Sequence, residues 1–162
     1  NAGIEGFAPI TAMTEEEFDR VIGINLKGVW LSVKYEVEAM IALGQGGAIV
    51  NTSSWLAAGA SFESSAYSAS KGGIAQLTKA LGNEWIRHGV NVNAIAPGLM
   101  ETEMTSGLKN NPARREQFAS RIPAGRFGAA ADVKGTAVFL ASHASDYLSG
   151  AIIPVDGGFL AL

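Results

Sequence analysis

Between Thr14 and Leu43, apolar residues recur at helical spacing: Phe18, Val21, Ile22, Leu26, Val29, Trp30, Val33 and Val37. The run Thr14-Glu15-Glu16-Glu17 reads as a capping box, with Thr14 as N-cap, Glu17 reaching back and acidic charge at the positive helix end. Gly44 ends the segment. Asn25 interrupts the apolar face beside Gly23 and Gly28, which on its own marks a local kink satisfied by water. Gly46-Gly47 then turn the chain into Ala48–Thr52, a short apolar run of the buried parallel-strand type. Ser53 and Ser54 follow at its C-terminal end, and Trp55–Ser65 is a small-residue loop suited to a pocket wall. A second long helix is predicted over Tyr67–Arg87, closed by His88-Gly89. Its small residues, among them Ser68, Ala69, Gly72, Gly73, Ala75 and Ala80, would let a neighbouring element approach closely.

Val90–Ala96 reads as the next strand, running into Pro97-Gly98. A polar stretch over 110–121, helical after Pro112, leads through a loop over 121–128 to a last helix at Asp132–Ala141. Ala151–Val155 closes the order as a short strand, and Pro154, with no N–H to donate, places it at an edge.

Composition narrows the function classes. The 162 residues are 48% hydrophobic and 17% charged, enough for one domain with a real core. A net charge of −3 gives no basic footprint for nucleic acid and no polybasic patch for a membrane surface. No apolar run approaches the roughly 18 residues of a spanning helix, and no signal-peptide pattern is present. With no cysteine, disulfides and thiolate metal sites are excluded, and two distant histidines, His88 and His143, make no metal site. Cytoplasm is the default location.

The chemistry concentrates in Ser54–Lys71, SWLAAGASFESSAYSASK. On a helix, Tyr67 and Lys71 lie one turn apart on the same face. An ammonium beside a phenol favours the phenolate and lowers a pKa that starts near 10, fitting the tyrosine for general acid or base work. The Ser54 hydroxyl, arriving from the strand end, can meet the phenol across a pocket. Such a hydroxyl pair suits a carbonyl oxygen that gains or loses a proton. Glu63 reads as a solvated loop charge.

Ser54, Tyr67 and Lys71 at these spacings resemble the catalytic set of the short-chain dehydrogenase/reductase family. Asn1-Ala2-Gly3, Asn25 within INLKGVW, NVNAIAPG at Asn91–Gly98 and VDGG at Val155–Gly158 fit that family's motifs in order. The resemblance implies an α/β, Rossmann-like, doubly wound parallel sheet with helices on both faces. It also implies that residues 1–162 are the C-terminal part of one such domain, whose first strands are absent here. At about 30 residues per βα unit, roughly 90 residues would precede Asn1. They would carry the phosphate-binding glycines and the residue that chooses between NAD and NADP, so the cofactor is expected to be NAD or NADP.

The resemblance assigns Tyr67 the proton exchange, Lys71 the nicotinamide ribose, Ser54 the carbonyl oxygen, and Asn25 a water that completes the proton path. It places Asn1, Ala2, Gly3, Ile95, Pro97, Gly98 and Thr102 beside the cofactor as well, although Asn1–Gly3 also reads as a plain turn and Thr102 as an N-cap. Met100, Met104 and Leu108 would form an apolar lid. A small-molecule substrate and a homodimer or homotetramer are implied.

Within the family, the tail from Arg121 looks most like gluconate 5-dehydrogenase and 2-dehydro-3-deoxygluconate 5-dehydrogenase. Arg114, Arg121 or Arg126 could pair with a sugar-acid carboxylate, against surface salt bridging for each. A 3-oxoacyl-carrier-protein reductase is the alternative. From another class, the 162 residues alone would be an inactive fragment serving only binding or assembly.

Overall fold

This computed structural model describes residues 2–103, 105–109 and 111–161. Asn1 and Met104 lie outside the described residues, as does the Leu108 side chain, so the NAG turn and the apolar lid are visible only in part. Thr14 caps α1 (Glu15–Ile22) with the reciprocal bonds of a capping box: Glu17 N–H donates to Thr14 Oγ1 at 3.2 Å and Thr14 N–H to Glu17 Oε2 at 3.2 Å. A cap of this kind contributes about 1 kcal/mol. The long helix predicted through Leu43 is not continuous. A π-helical turn, Gly23–Lys27, separates α1 from α2 (Gly28–Leu43), and Asn25 sits inside it.

Three parallel strands follow in the order β1-β2-β3: β1 (Gly47–Thr52), β2 (Val90–Pro97) and β3 (Ile152–Val155). Thr52 pairs with Ile95, and Pro97 with Val155, so the C-terminal ends of neighbouring strands lie side by side. Pro154 sits on the edge strand β3. Between β1 and β2 comes α3 (Ser65–Trp85), continued by a 3-10 turn at Ile86–His88. After β2 come α4 (Ser106–Lys109), α5 (Pro112–Ala119) and α6 (Ala130–Leu140). α6 starts before Asp132 because that residue is not the cap; its carboxylate reaches back to the Ala129 N–H at 2.7 Å.

The alternation along β2 sorts its neighbours. Val90 and Val92 join Val33 and Val37 of α2 and Ile49 of β1 in the buried core, flanked by Leu81 and Trp85 of α3. Asn91 and Asn93 point the other way and hold the chain after α6: Asn91 Nδ2 donates to the Asp146 carbonyl at 3.0 Å and Asn93 Nδ2 to the Leu148 carbonyl at 2.7 Å. That is the physical content of the NVNA motif. In β1, Ile49 and Asn51 are buried but Ala48 and Thr52 are exposed, contrary to the fully buried strand expected. The reason is topological, since β1 is an edge strand among the described residues. Phe18 and Trp30 of the predicted apolar stripe are exposed too. No helix among the described residues is long and apolar enough to cross a membrane.

Candidate active site

Parallel strands present ligands at their C-terminal ends, and the predicted chemistry collects there. Ser54, two residues past β1, is buried; its Oγ accepts the Leu56 N–H at 3.2 Å and hydrogen-bonds the Tyr67 phenol. Tyr67 and Lys71 project from one face of α3, with Lys71 Nζ 5.6 Å from the centre of the Tyr67 ring. The ammonium donates to the Thr52 carbonyl at 2.9 Å, which ties α3 to the end of β1. Ser53 makes the same join from the other side, its hydroxyl donating to the Lys71 carbonyl at 3.0 Å.

The electrostatics differ from the expectation. Burial pushes the Tyr67 phenol above its ordinary value, the Ser54 hydrogen bond opposes that rise, and the charge of Glu5 adds to it. Burial also pushes Lys71 down to about 8. The predicted lowering of the phenol by Lys71 is therefore corrected. Burial opposes the charged form of both groups, and the ammonium is engaged by Thr52 rather than by the phenol oxygen.

Asn25 is buried in the π turn, and water is not what satisfies it. Its Oδ1 accepts the Ile4 N–H at 2.8 Å, and its Nδ2 donates to the Ile4 carbonyl at 3.0 Å and to Ser70 Oγ at 3.1 Å. Ser70 in turn donates to the Tyr67 carbonyl at 2.7 Å. A chain of hydrogen bonds thus runs from residue 4 through Asn25 and Ser70 to the backbone of the tyrosine. Ser70, fully buried, was missed by the sequence reasoning, although its position three residues after Tyr67 places it on the same side of the helix. Glu5 and Phe7, whose ring centre lies 5.7 Å from that of Tyr67, were also missed, because an irregular segment has no period to read.

The remaining predicted contacts are more loosely held. Ala2 and Gly3 are exposed coil. Ile95 is buried and its carbonyl accepts the Ser53 N–H at 2.8 Å. Gly98 donates to the Val155 carbonyl at 2.9 Å, and a Cβ there would stand 2.6 Å from Asp156 Cα, so close packing against β3 already requires glycine. Thr102 is exposed; it is not a helix cap, and its N–H donates to Thr105 Oγ1 at 3.0 Å. Arg126 is engaged by both carboxylate oxygens of Asp132, which holds that carboxyl well below the usual range. Arg114 lies over the Phe118 ring. Arg121 lies over Phe159, which packs edge-on against Trp55 beside Ser54.

Residues 1–160 match a family model described as Enoyl-(Acyl carrier protein) reductase. The chain belongs to the short-chain dehydrogenase/reductase family. It is 42% identical over 161 residues to the 2-dehydro-3-deoxy-D-gluconate 5-dehydrogenase of Escherichia coli strain K12, covering 99% of this chain and 64% of that enzyme. It is 41% identical to the 3-oxoacyl-[acyl-carrier-protein] reductase of Thermotoga maritima, with 99% and 64% covered. The crystal structure of a gluconate 5-dehydrogenase from Burkholderia cenocepacia J2315, in complex with NADP and tartrate, superposes with a TM-score of 0.96 at 36% identity, covering all of this chain and 63% of that one. The chain thus spans less than two thirds of the relatives it matches, and its parallel sheet and helices are the matching part of their Rossmann-like fold.

Proposed function

We propose that the protein containing this chain is a nicotinamide-dependent oxidoreductase that interconverts a secondary alcohol and a ketone on a small polyhydroxylated substrate of the sugar-acid type. The observation that carries this reading is the hydrogen-bonded Ser54–Tyr67 hydroxyl pair, set beside the buried Lys71 ammonium at the C-terminal end of β1. The donor set fits a nicotinamide dinucleotide. Lys71 Nζ has three protons and one hydrogen bond to the protein, leaving donors for ribose hydroxyls. Thr102, exposed on the loop after Gly98, has a hydroxyl to offer a carboxamide. NADP is the form to test first, given the Burkholderia relative, and Ala2, Gly3, Ile95, Pro97, Gly98 and Thr102, with Asn1, would line its site.

The dinucleotide, when bound, supplies the hydride acceptor or donor. The proton chemistry belongs to this chain. Ser54 holds and polarises the substrate oxygen, and Tyr67, whose raised pKa keeps the phenol protonated near neutral pH, gives its proton to the forming alkoxide. In the oxidative direction the Tyr67 phenolate receives the proton of the substrate hydroxyl. Lys71, tied to the Thr52 carbonyl, would hold the nicotinamide ribose beside the phenol. Asn25, with its amide protons directed to Ile4 and Ser70, acts as a positioning residue that sets the height of Tyr67. Among the three arginines, Arg121 lies over Phe159, which packs against Trp55 beside Ser54, and is the partner we assign to a substrate carboxylate.

We read residues 1–162 as the C-terminal part of a single domain in a cytoplasmic enzyme. A homodimer or homotetramer would cover the apolar groove of about 560 Å³ lined by Ile22, Leu26, Trp30, Gly73, Leu77 and Ala80. The test is turnover by the full-length protein, followed as nicotinamide reduction or oxidation with gluconate, 2-dehydro-3-deoxygluconate and a 3-oxoacyl thioester. Sugar-acid turnover supports the reading. Preference for the thioester would favour the carrier-protein reductase, which the Thermotoga relative keeps in view. No turnover with either nicotinamide would leave binding or assembly as the role.

A further inference from the structure

Residues 4–8 form an irregular strap beside Tyr67 that is fastened on both sides of Glu5. Before it, Ile4 exchanges two backbone bonds with the Asn25 side chain, at 2.8 and 3.0 Å. After it, the Phe7 ring packs 5.7 Å from the Tyr67 ring, and Ala8 N–H donates to the Glu63 carbonyl at 2.9 Å. Gly6 is clamped against α1: a Cβ there would lie 2.5 Å from Val21 Cγ2. Glu5 is thus held, exposed, on a backbone fixed between the Ile4–Asn25 bonds and the Phe7–Tyr67 ring contact, and its charge adds to the rise of the Tyr67 phenol.

No structural task accounts for this carboxylate. It lies well before α1 and caps nothing. Among the described residues the ion pairs are Arg115–Glu101, Arg126–Asp132 and His143–Asp146, so Glu5 has no cationic partner, and no protein donor hydrogen-bonds it. An ionised carboxylate accepts hydrogen bonds and cannot give them. Placed beside the group that handles the substrate hydroxyl, it attracts hydroxyl protons and repels a second carboxylate.

We propose that Glu5 is a specificity-determining residue: its carboxylate accepts a hydrogen bond from the hydroxyl on a carbon adjacent to the reacting one, and it turns the acid end of a substrate away from the strap. The inference rests on Tyr67 being the acid–base group of a polyol or sugar-acid oxidoreductase. It explains why a polyhydroxylated substrate would be chosen over a simple secondary alcohol, since a site built to bind a hydroxyl rejects the analogue lacking it.

The experiment uses the full-length protein, wild type and the isosteric Glu5→Gln together with Glu5→Ala, with NADP. The substrate is whichever of gluconate, 2-dehydro-3-deoxygluconate, sorbitol and galactitol the wild type oxidises best, and the comparison is with its analogues deoxygenated at either carbon next to the oxidised one. The wild type is expected to prefer the hydroxylated substrate over one of these analogues by about ten- to hundred-fold in kcat/KM, the range of a hydrogen bond to a charged group. In both variants that preference should shrink below about three-fold, by loss on the hydroxylated substrate rather than gain on the analogue. Variants that keep the preference, or a wild type that shows none, would overturn the role of Glu5 while leaving the oxidoreductase standing. A wild type that turns over none of the panel overturns the reading beneath it, and the inference with it.

Discussion

On the helix side of the site, polar side chains are tied to the interior: Asn25 to Ile4 and Ser70, Ser70 to the Tyr67 carbonyl, Lys71 to Thr52, and Ser53 to Lys71. On the loop side, after Gly98, the corresponding hydroxyl of Thr102 is exposed, and its partner among the described residues is Thr105, three residues on. The first region is organised before any ligand arrives, because buried polar groups left unpaired cost too much to tolerate. The second is bonded within its own loop and exposed, so a ligand can reach it without breaking a buried network. In the proposed reading, acid–base geometry would belong to the fold, and cofactor contact to a loop that the fold only delivers to the strand end.

The largest effect expected from this contrast is chemical. Tyr67→Phe in the full-length protein should lower kcat by about 10²- to 10⁴-fold with little change in melting temperature, because the ring keeps its contact with Phe7. A loss of under three-fold would remove Tyr67 from the chemistry. Lys71→Met comes next and separates function from stability. The buried ammonium, pushed down to about 8 from 10.5 in the unfolded chain, costs about 3 kcal/mol at pH 7. The variant should therefore be inactive yet no less stable in denaturant. A depressed folded pKa also means that wild-type stability rises as pH climbs from about 8 towards 10.5, where the unfolded chain holds the proton the native state has released. The raised Tyr67 works in the opposite sense, removing stability as pH rises above 10. In Lys71→Met the rise between 8 and 10.5 should vanish. Its persistence would mean that another group titrates there.

Asn25→Ala tests whether the helix side is built as a network. It removes three hydrogen bonds and leaves Ile4 and Ser70 short of partners, so unfolding free energy should fall by about 2–3 kcal/mol. Activity should fall with it, since Ser70 would hold Tyr67 less firmly. Full stability in urea would show that the network is replaceable by water.

The same contrast separates what was legible in the sequence from what was not. Thr14 and Glu17 signalled their helix start because capping is local, and α3 carried Tyr67 and Lys71 on one face because helical spacing fixes it. The strand ends that bring Ser54 to Tyr67 followed from the apolar runs and the resemblance. The π turn at Asn25 was not legible, since a polar residue between glycines reads equally as a wet kink, and its true partner, Ile4, is 21 residues away. The sign of the Tyr67 shift was missed for a related reason: residue types show which charges are near, whereas burial depends on the whole fold. Ser70 shares the helical side of Tyr67, but its bond from Asn25 comes from 45 residues away, and Glu5 is set beside Tyr67 by tertiary neighbours with no periodic pattern to mark it.

The smallest predicted effect bears most directly on the loop. Thr102→Ala removes an exposed hydroxyl whose partner among the described residues is Thr105, so unfolding free energy should move by less than about 0.5 kcal/mol, as for other surface changes. If that hydroxyl is held in reserve for a carboxamide, KM for the dinucleotide should rise by up to about ten-fold, the worth of one neutral hydrogen bond, while kcat stays within about two-fold because Tyr67 and Ser54 are untouched. The informative reversal is a variant that loses more than 1 kcal/mol of stability with KM unchanged, relative to the roughly 0.5 kcal/mol of a neutral surface site. Thr102 would then be part of the scaffold through Thr105, which already donates to the Met100 carbonyl at 2.6 Å. The loop would be preorganised in the same way as α3, and the cofactor's carboxamide would have to be bound by the backbone after Pro97 instead.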